Sequence, residues 1–442
     1  MSSNSTWIGS GQTYVEALFA PGNMLVACAV VDAGTDSVKV FASLNSGATW
    51  SLRQFLVGSW EFVDPEMYTY DSGTRLALFV AGARPDSLGL VFGVRYVLPS
   101  FAIEGYTGIP WNAPGCDTLR SIAVVAAQGS PATRWIFADD YSDRLYYSTS
   151  VDGIAWTPFT LLDSSAARPR ACAGVGGRVY VTFQSTASGG AIRCISMGGT
   201  GGTYNTTLYT GGGTDAAPCV ASELTGLQRV AIVYHNTEGT VVMSTSSNNG
   251  QTWSSLVPLG AGSYPSLDIS ATTGTCLLGY IDQSTGRIRV AGAQSLSYLP
   301  SASPLLRGDL AAAAGVPPVV RLSNFLQLQT LFYMGQGPRD VWFDSSINTG
   351  IEDQQAPVGR AFVTVTPNPS TGSFLATWTS PGQGTPVMRL YSVDGRVVAE
   401  PCPGSGQDGA VEFGEDLPAG VYILGWTGPG GSGSVRLVKL RP

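Results

Sequence analysis

A short turn recurs three times in the first 260 residues, and its spacing limits what the chain can build. Ser43-Leu44-Asn45-Ser46-Gly47-Ala48-Thr49-Trp50 and Ser246-Ser247-Asn248-Asn249-Gly250-Gln251-Thr252-Trp253 both read S-x-[DN]-x-G-x-T-W. Ser150-Val151-Asp152-Gly153-Ile154-Ala155-Trp156 is the same turn, one residue shorter. Each copy follows an apolar run, a polar hairpin and a second apolar run. Ser and Asp or Asn fold their side chains back onto turn N–H groups, Gly takes the positive φ, and Trp lays its ring on the sheet. Asn in place of Asp keeps the acceptor and loses the charge, so the turn survives the exchange.

These turns resemble the Asp-box, also called the BNR repeat, of sialidase-like β-propellers. Trp50 to Trp156 is 106 residues and Trp156 to Trp253 is 97, about twice a blade unit of roughly 40–50 residues. The boxes therefore mark alternate blades. Hairpins without a box stand between and after them, at 75–96, 178–197, 276–293 and 326–346. The expectation is an all-β chain whose residues 1–345 form a seven-bladed propeller. The alternative of six blades needs about 58 residues each, long for this unit. Pro169, Pro218, Pro265 and Pro318 each precede an inner strand, where a residue without an N–H costs no ladder bond. The last blade lacks a fourth strand after Phe343, and Ser5-Thr6-Trp7-Ile8 can supply it and close the ring.

Residues 346–360 are polar and without period, and read as a linker. Beyond them, Val363 and Val365 alternate into Pro367-Asn368-Pro369, which stops strand pairing. Asp394-Gly395 is a hairpin turn, and Leu417-Pro418-Ala419-Gly420 a second one before the last strands. This pattern predicts an immunoglobulin-like β-sandwich. The order PNPxxG, LYxxxGRxV, LPAGVYxL and VxLVxL over 361–442 resembles the type A C-terminal sorting domain of the bacterial type IX secretion system. The resemblance implies export to the periplasm and passage across the outer membrane by the type IX machinery. It further implies a protein held at the cell surface or released.

Composition agrees with an all-β protein that has many tight turns. Charged residues are only 12% and glycines number 56, about half and nearly double the usual shares. The net charge of −7 argues against nucleic acid as a partner, which needs basic surface. No apolar run approaches the roughly 18 residues of a transmembrane segment. The opening Met1-Ser2-Ser3-Asn4-Ser5 carries no signal-peptide pattern, so the expectation is a sequence that starts after a removed signal, with an added Met. Seven cysteines are scattered without C-x-x-C. Most read as small buried thiols, with one or two disulfides as the alternative.

The chain has one histidine, His235, and no phosphate-binding loop, which leaves carboxylates, arginines and aromatics as the chemistry. The resembled sialidases carry an F/Y-R-I-P motif that is missing here, so their activity does not transfer. In propellers of this type the ligand face lies opposite the boxes. The residues expected there are Tyr106 and Trp111 as stacking rings, with Asp117, Arg120, Asp139, Arg170 and His235 as polar contacts. For Trp111 the competing reading is a plug between the second and third blades. Asp139, Asp140 and Asp143 could chelate calcium through hard oxygens, or form a plain polar hairpin tip; no other cofactor is indicated. Three functions stay open: a module binding a glycan or a surface protein, a glycoside hydrolase or lyase, and a structural surface-layer component.

Overall fold

The apolar runs that bound each hairpin are strands in the computed structural model. It describes residues 6–9, 14–20, 25–32, 37–44, 49–57, 61–70, 73–84, 87–127, 132–187, 189–199, 202–209, 216–224, 228–270, 273–307, 312, 316–322, 328–334, 341–347, 362–366, 368, 370–379, 387–392, 396–401, 408–428 and 431–441. The chain divides into two compact units, Met1–Ile347 and Asn348–Pro442.

Among the described residues, the first unit holds five four-stranded antiparallel sheets and one seven-stranded sheet, counted below as two four-stranded halves that share a strand. In chain order they span 14–57, 61–110, 119–163, 166–209, 219–261, 262–307 and 319–347, the last completed by Thr6–Gly9. One long strand, Val257–Ile269, ends the fifth sheet and opens the sixth. The first strand of each sheet touches the first strand of the next, and Val319–Leu322 of the seventh touches Tyr14–Ala20 of the first. This closed ring is a β-propeller. Closure uses both ends of the unit: Thr6 pairs with Phe343 and Trp7 with Trp342.

The core lies between the sheets. Ala77, Phe79 and Val91 of the second sheet bury against Leu119, Ile122 and Ile136 of the third, and the same packing repeats round the ring. The tryptophan-bearing turns staple neighbours together. Trp156 meets Phe79 of the preceding sheet edge-on at 5.5 Å, Trp253 packs into the cluster of Tyr180, and Trp50 meets Phe332 at 5.8 Å. Phe332 belongs to the seventh sheet, so the first box closes the ring a second time. Within the turn, Asp152 Oδ1 accepts from Ser150 Oγ (2.9 Å), Ile154 N–H (2.7 Å) and Ala155 N–H (2.9 Å). Those donors hold its carboxyl down at about 2. Asn248 repeats the pattern without charge, accepting from Ser246 Oγ (2.9 Å) and Thr252 N–H (3.0 Å). Gly153 (φ 73°) and Gly250 (φ 83°) take the left-handed corner of each turn. Asn45 and Gly47 lie outside the described residues.

The second unit packs a sheet of Phe362–Thr366, Phe374–Thr379 and Asp408–Phe413 with one of Val397–Ala399, Val387–Ser392, Gly420–Gly428 and Gly431–Lys439. Phe374, Met388, Leu390, Leu424 and Leu437 fill the space between them. Lys439 is buried, its Nζ donating to the carbonyls of Gly372, Gly414 (2.8 Å) and Glu415 (3.0 Å). Asn368 Oδ1 accepts the Val438 N–H at 2.9 Å, tying the start of the unit to its last strand. Pro367, Pro369 and Gly395 lie outside the described residues. The expected linker begins later than the sequence suggests: Ser346 and Ile347 still pair, with Gln329 and Leu328, and 348–360 lie outside the described residues.

Candidate functional site at the channel mouth

In the third sheet Leu119 opposes Asp140, and Asp139 opposes Leu145, whereas Arg134 opposes Ser150 at the far end. The box turns thus lie opposite the mouth where Arg120 stands.

Four entries share one local device, a positive-φ residue followed by proline: Asp64-Pro65 (φ 49°), Arg168-Pro169 (57°), Ala217-Pro218 (43°) and Tyr264-Pro265 (52°). Three of them coincide with a register shift against the second strand. Pro65, Pro169 and Pro265 thus lie within their strands, not before them as expected for Pro169 and Pro265, and sit at bulges, where a missing N–H is tolerated and side chains are re-aimed. The left-handed backbone costs a non-glycine residue about 1–3 kcal/mol, and bonds between sheets offset it here. Ile122 N–H donates to Asp64 Oδ2 (3.0 Å), Arg168 N–H to Asp139 Oδ2 (2.9 Å), and Tyr264 N–H to His235 Nδ1 (3.4 Å).

The mouth opens into a cavity of about 580 Å³. Its charged lining is evenly matched: Glu16, Asp64, Glu66 and Asp268 against Arg120, Arg168, Arg170 and Arg321. Arg170 reaches from the fourth sheet past the third to Asp64 (3.3 Å) and Glu66 (3.7 Å) of the second. Arg321 of the seventh sheet pairs with Glu16 of the first, and its Nε donates to the Ala17 carbonyl at 2.6 Å. Arg120 pairs with Asp139 (2.6 Å) and Asp143 (2.8 Å). Burial raises the carboxyls of Glu16 and Asp268, with Arg321 pulling both back. Burial raises Glu66 further, and the neighbouring Glu16 charge adds to it against Arg170. Two tyrosines border these groups: Tyr141, exposed beside the Arg120 guanidinium, and Tyr264.

Of the residues singled out in the sequence, Arg120 and Arg170 line the cavity. Asp139 lies directly behind the lining, fully buried. Asp117 stands outside it, its carboxyl held low first by Ser142 Oγ and then by Thr118 N–H. His235 is buried behind Tyr264, ring to ring at 5.5 Å. Trp111 is not a ligand ring. It is 2% exposed, crosses Tyr146 (5.0 Å) and Phe159 (4.8 Å) edge-on, and donates Nε1–H to the Asp117 carbonyl at 2.7 Å. Tyr106 is also displaced from the mouth. It lies on the outermost strand Ala102–Pro110 of the second sheet, where it stacks on Phe92 at 5.9 Å. The oxygens proposed for calcium are engaged by donors: Asp139 by Arg120, Ser121 and Arg168, Asp140 by Asp117, Ser142 and Arg144, Asp143 by Arg120. Among the described residues no cluster of three or more acidic, His or Cys side chains is placed to hold a metal. Cys116, Cys172, Cys194, Cys219 and Cys276 are free thiols.

The sequence reading places Asp64 and Glu66 on this face and leaves out Glu16, Asp268, Tyr264 and Arg321 as site residues. A usable signal was present for two of the strands, since Glu66 and Arg170 each directly follow a proline, which lies within the strand at its register shift.

Neither a protein-family model nor a curated protein matches the chain. Solved structures are similar in fold at low identity. A protein of unknown function from Dyadobacter fermentans is 11% identical, covering 66% of this chain and 96% of that one, with a TM-score of 0.46. The fucose-recognising lectin of Aleuria aurantia, a six-bladed β-propeller, is 10% identical over 70% of this chain and 100% of its own, at 0.46. The NanB sialidase of Streptococcus pneumoniae is 10% identical over 78% and 70%, at 0.45.

Proposed function

We propose that the chain is an exported glycan-binding protein that takes its ligand at the channel mouth. The observation that carries this reading is the matched set of four guanidinium and four carboxyl groups around one cavity, bordered by Tyr141 and Tyr264. Saccharide hydroxyls both donate and accept, so alternating carboxylates and guanidiniums can satisfy them in pairs. Tyrosine rings cover the apolar face of a sugar.

In the same reading the scaffold is a seven-bladed propeller of the Asp-box, sialidase-like kind. The seven sheets, the closing pair of Trp7 and Trp342, and the hydrogen bonds of Asp152 and Asn248 support it. The second unit acts as a type IX secretion sorting domain with an immunoglobulin-like sandwich, which delivers the propeller across the outer membrane. The two packed sheets, and the turn at Leu417–Gly420 between the strands Asp408–Phe413 and Gly420–Gly428, support that assignment.

The test is a glycan array probed with the full chain, followed by calorimetry on the best binder. Arg170→Ala and Arg321→Ala should each weaken binding at least tenfold, while Tyr106→Ala leaves it unchanged. Absence of any glycan binding, or loss on Tyr106→Ala alone, would remove the channel-mouth reading.

A further inference from the structure

Three carboxyl groups meet at the base of the mouth, and the chain treats them differently. Asp64 is held as an acceptor: Oδ2 takes the Ile122 N–H at 3.0 Å and Arg170 Nη1 at 3.3 Å, and Oδ1 takes Arg170 Nη2 at 3.5 Å. Glu16 is held by Arg321, whose guanidinium is itself fixed on the Ala17 (2.6 Å) and Val320 (2.9 Å) carbonyls. Glu66 has no hydrogen-bond partner among the described residues. Its nearest cation, Arg170 at 3.7 Å, is already committed to Asp64 and to the Pro169 carbonyl at 3.2 Å. One acid of the group is therefore free to turn toward a bound molecule, and its neighbour is held ready to accept a proton.

We propose that Glu66 is a catalytic proton donor for cleavage of a glycosidic bond in the channel mouth, with Glu16 as the base. The proposal rests on the reading that this mouth takes a saccharide. The charged groups facing Glu66 are Glu16 from the first sheet, Asp64 on its own strand, Arg170 from the fourth sheet and Arg321 from the seventh. Burial and the Glu16 charge hold its carboxyl well above the usual range, which favours its protonated form. Glu16 is raised less, because Arg321 favours its anion. Two carboxyls with separated proton affinities are what acid and base roles require.

The step balances without a cofactor. The Glu66 proton passes to the glycosidic oxygen as the bond from that oxygen to the anomeric carbon breaks. A water oxygen bonds to the same carbon and gives one proton to Glu16. The products are the leaving alcohol and a free sugar, and the proton on Glu16 returns to Glu66 through solvent.

The experiment uses the full chain with aryl glycosides of the common hexoses, deoxyhexoses, N-acetylhexosamines and uronic acids. Each sugar is offered with a phenyl leaving group, which needs protonation, and with 2,4-dinitrophenyl, which does not. Wild type should cleave at least one sugar, with kcat/KM falling at high pH as Glu66 ionises and at low pH as Glu16 is protonated. Glu66→Gln should lower kcat on the phenyl glycoside by about 10²–10⁴-fold and on the dinitrophenyl glycoside far less. Glu16→Gln should lower both alike. Glu66→Gln should keep the wild-type melting temperature, so that its lost turnover is not lost folding. Equal loss on both leaving groups in Glu66→Gln would overturn the donor role. A protein that binds a glycan on the array and cleaves none of the aryl glycosides would overturn catalysis and leave binding standing. A protein that does neither would sink the binding reading beneath it.

Discussion

Replacing Trp111 by alanine should unfold the propeller more easily without touching its ligand chemistry. The indole is 2% exposed between the second and third sheets. A tryptophan buries roughly 200 Å², which at about 25 cal/mol/Å² is about 5 kcal/mol as an upper value. Measured truncations of this kind cost about 3–5 kcal/mol. Loss of the Nε1–H bond to the Asp117 carbonyl adds about 1 kcal/mol. A total near 5 kcal/mol is a large part of the roughly 5–15 kcal/mol that holds a domain folded. Unfolding entropy of about 2.1 cal/mol/K per residue over the 347 residues of the first unit gives about 0.7 kcal/mol/K. The melting temperature should then fall by about 7 °C in a calorimetric scan of the full chain. Glycan affinity of the folded variant should match wild type. A melting temperature within 1 °C of wild type, or lost binding at unchanged stability, would refute the placement of Trp111 in the core.

Other perturbations read other parts of the account. Asp152→Ala should lower the melting temperature at pH 7, where the wild-type carboxylate caps its turn. Because folding depresses that carboxyl to about 2, its contribution is complete above the usual carboxylate range and fades as pH falls through 2; a gap between variant and wild type that widens on acidification would contradict the turn geometry. Removing residues 1–9 deletes the strand Thr6–Gly9 and exposes the edge of Val341–Ile347, so size-exclusion chromatography should show oligomers or aggregates; a stable monomer melting like wild type would count against closure. Removing 361–442 from a precursor that carries a signal peptide should retain the folded propeller in the periplasm, and normal appearance outside the cell would dismiss the sorting assignment.

Much of the scaffold was legible because its signals are local. Runs such as Arg75–Arg84 and Arg178–Ser185 are apolar strands bounded by turn residues, and the box fixes a serine, an Asp or Asn, a glycine and a tryptophan within one turn. Even ring closure could be anticipated, from a last hairpin short of one strand. The outer strand Ala102–Pro110 misled because Gly105, Gly108 and Pro110 look like loop residues. Trp111 misled for a related reason, since a ring after a glycine-rich segment reads as exposed until its neighbours Tyr146 and Phe159 are in place. The channel mouth was the least legible part. Glu16 and Arg321 are 305 residues apart, and only the closed ring makes them neighbours. Arg170 likewise meets Asp64 across 106 residues. Pairing at that separation leaves no mark on local periodicity.

The most direct test of the account is a crystal structure of the full chain with the best-binding oligosaccharide from the array. The account predicts sugar density within the cavity at the channel mouth, in hydrogen-bond range of Arg170 or Glu66 and against the ring of Tyr141 or Tyr264. Density confined to the outer strands, at Tyr106 or between neighbouring sheets, with an empty mouth, would contradict it.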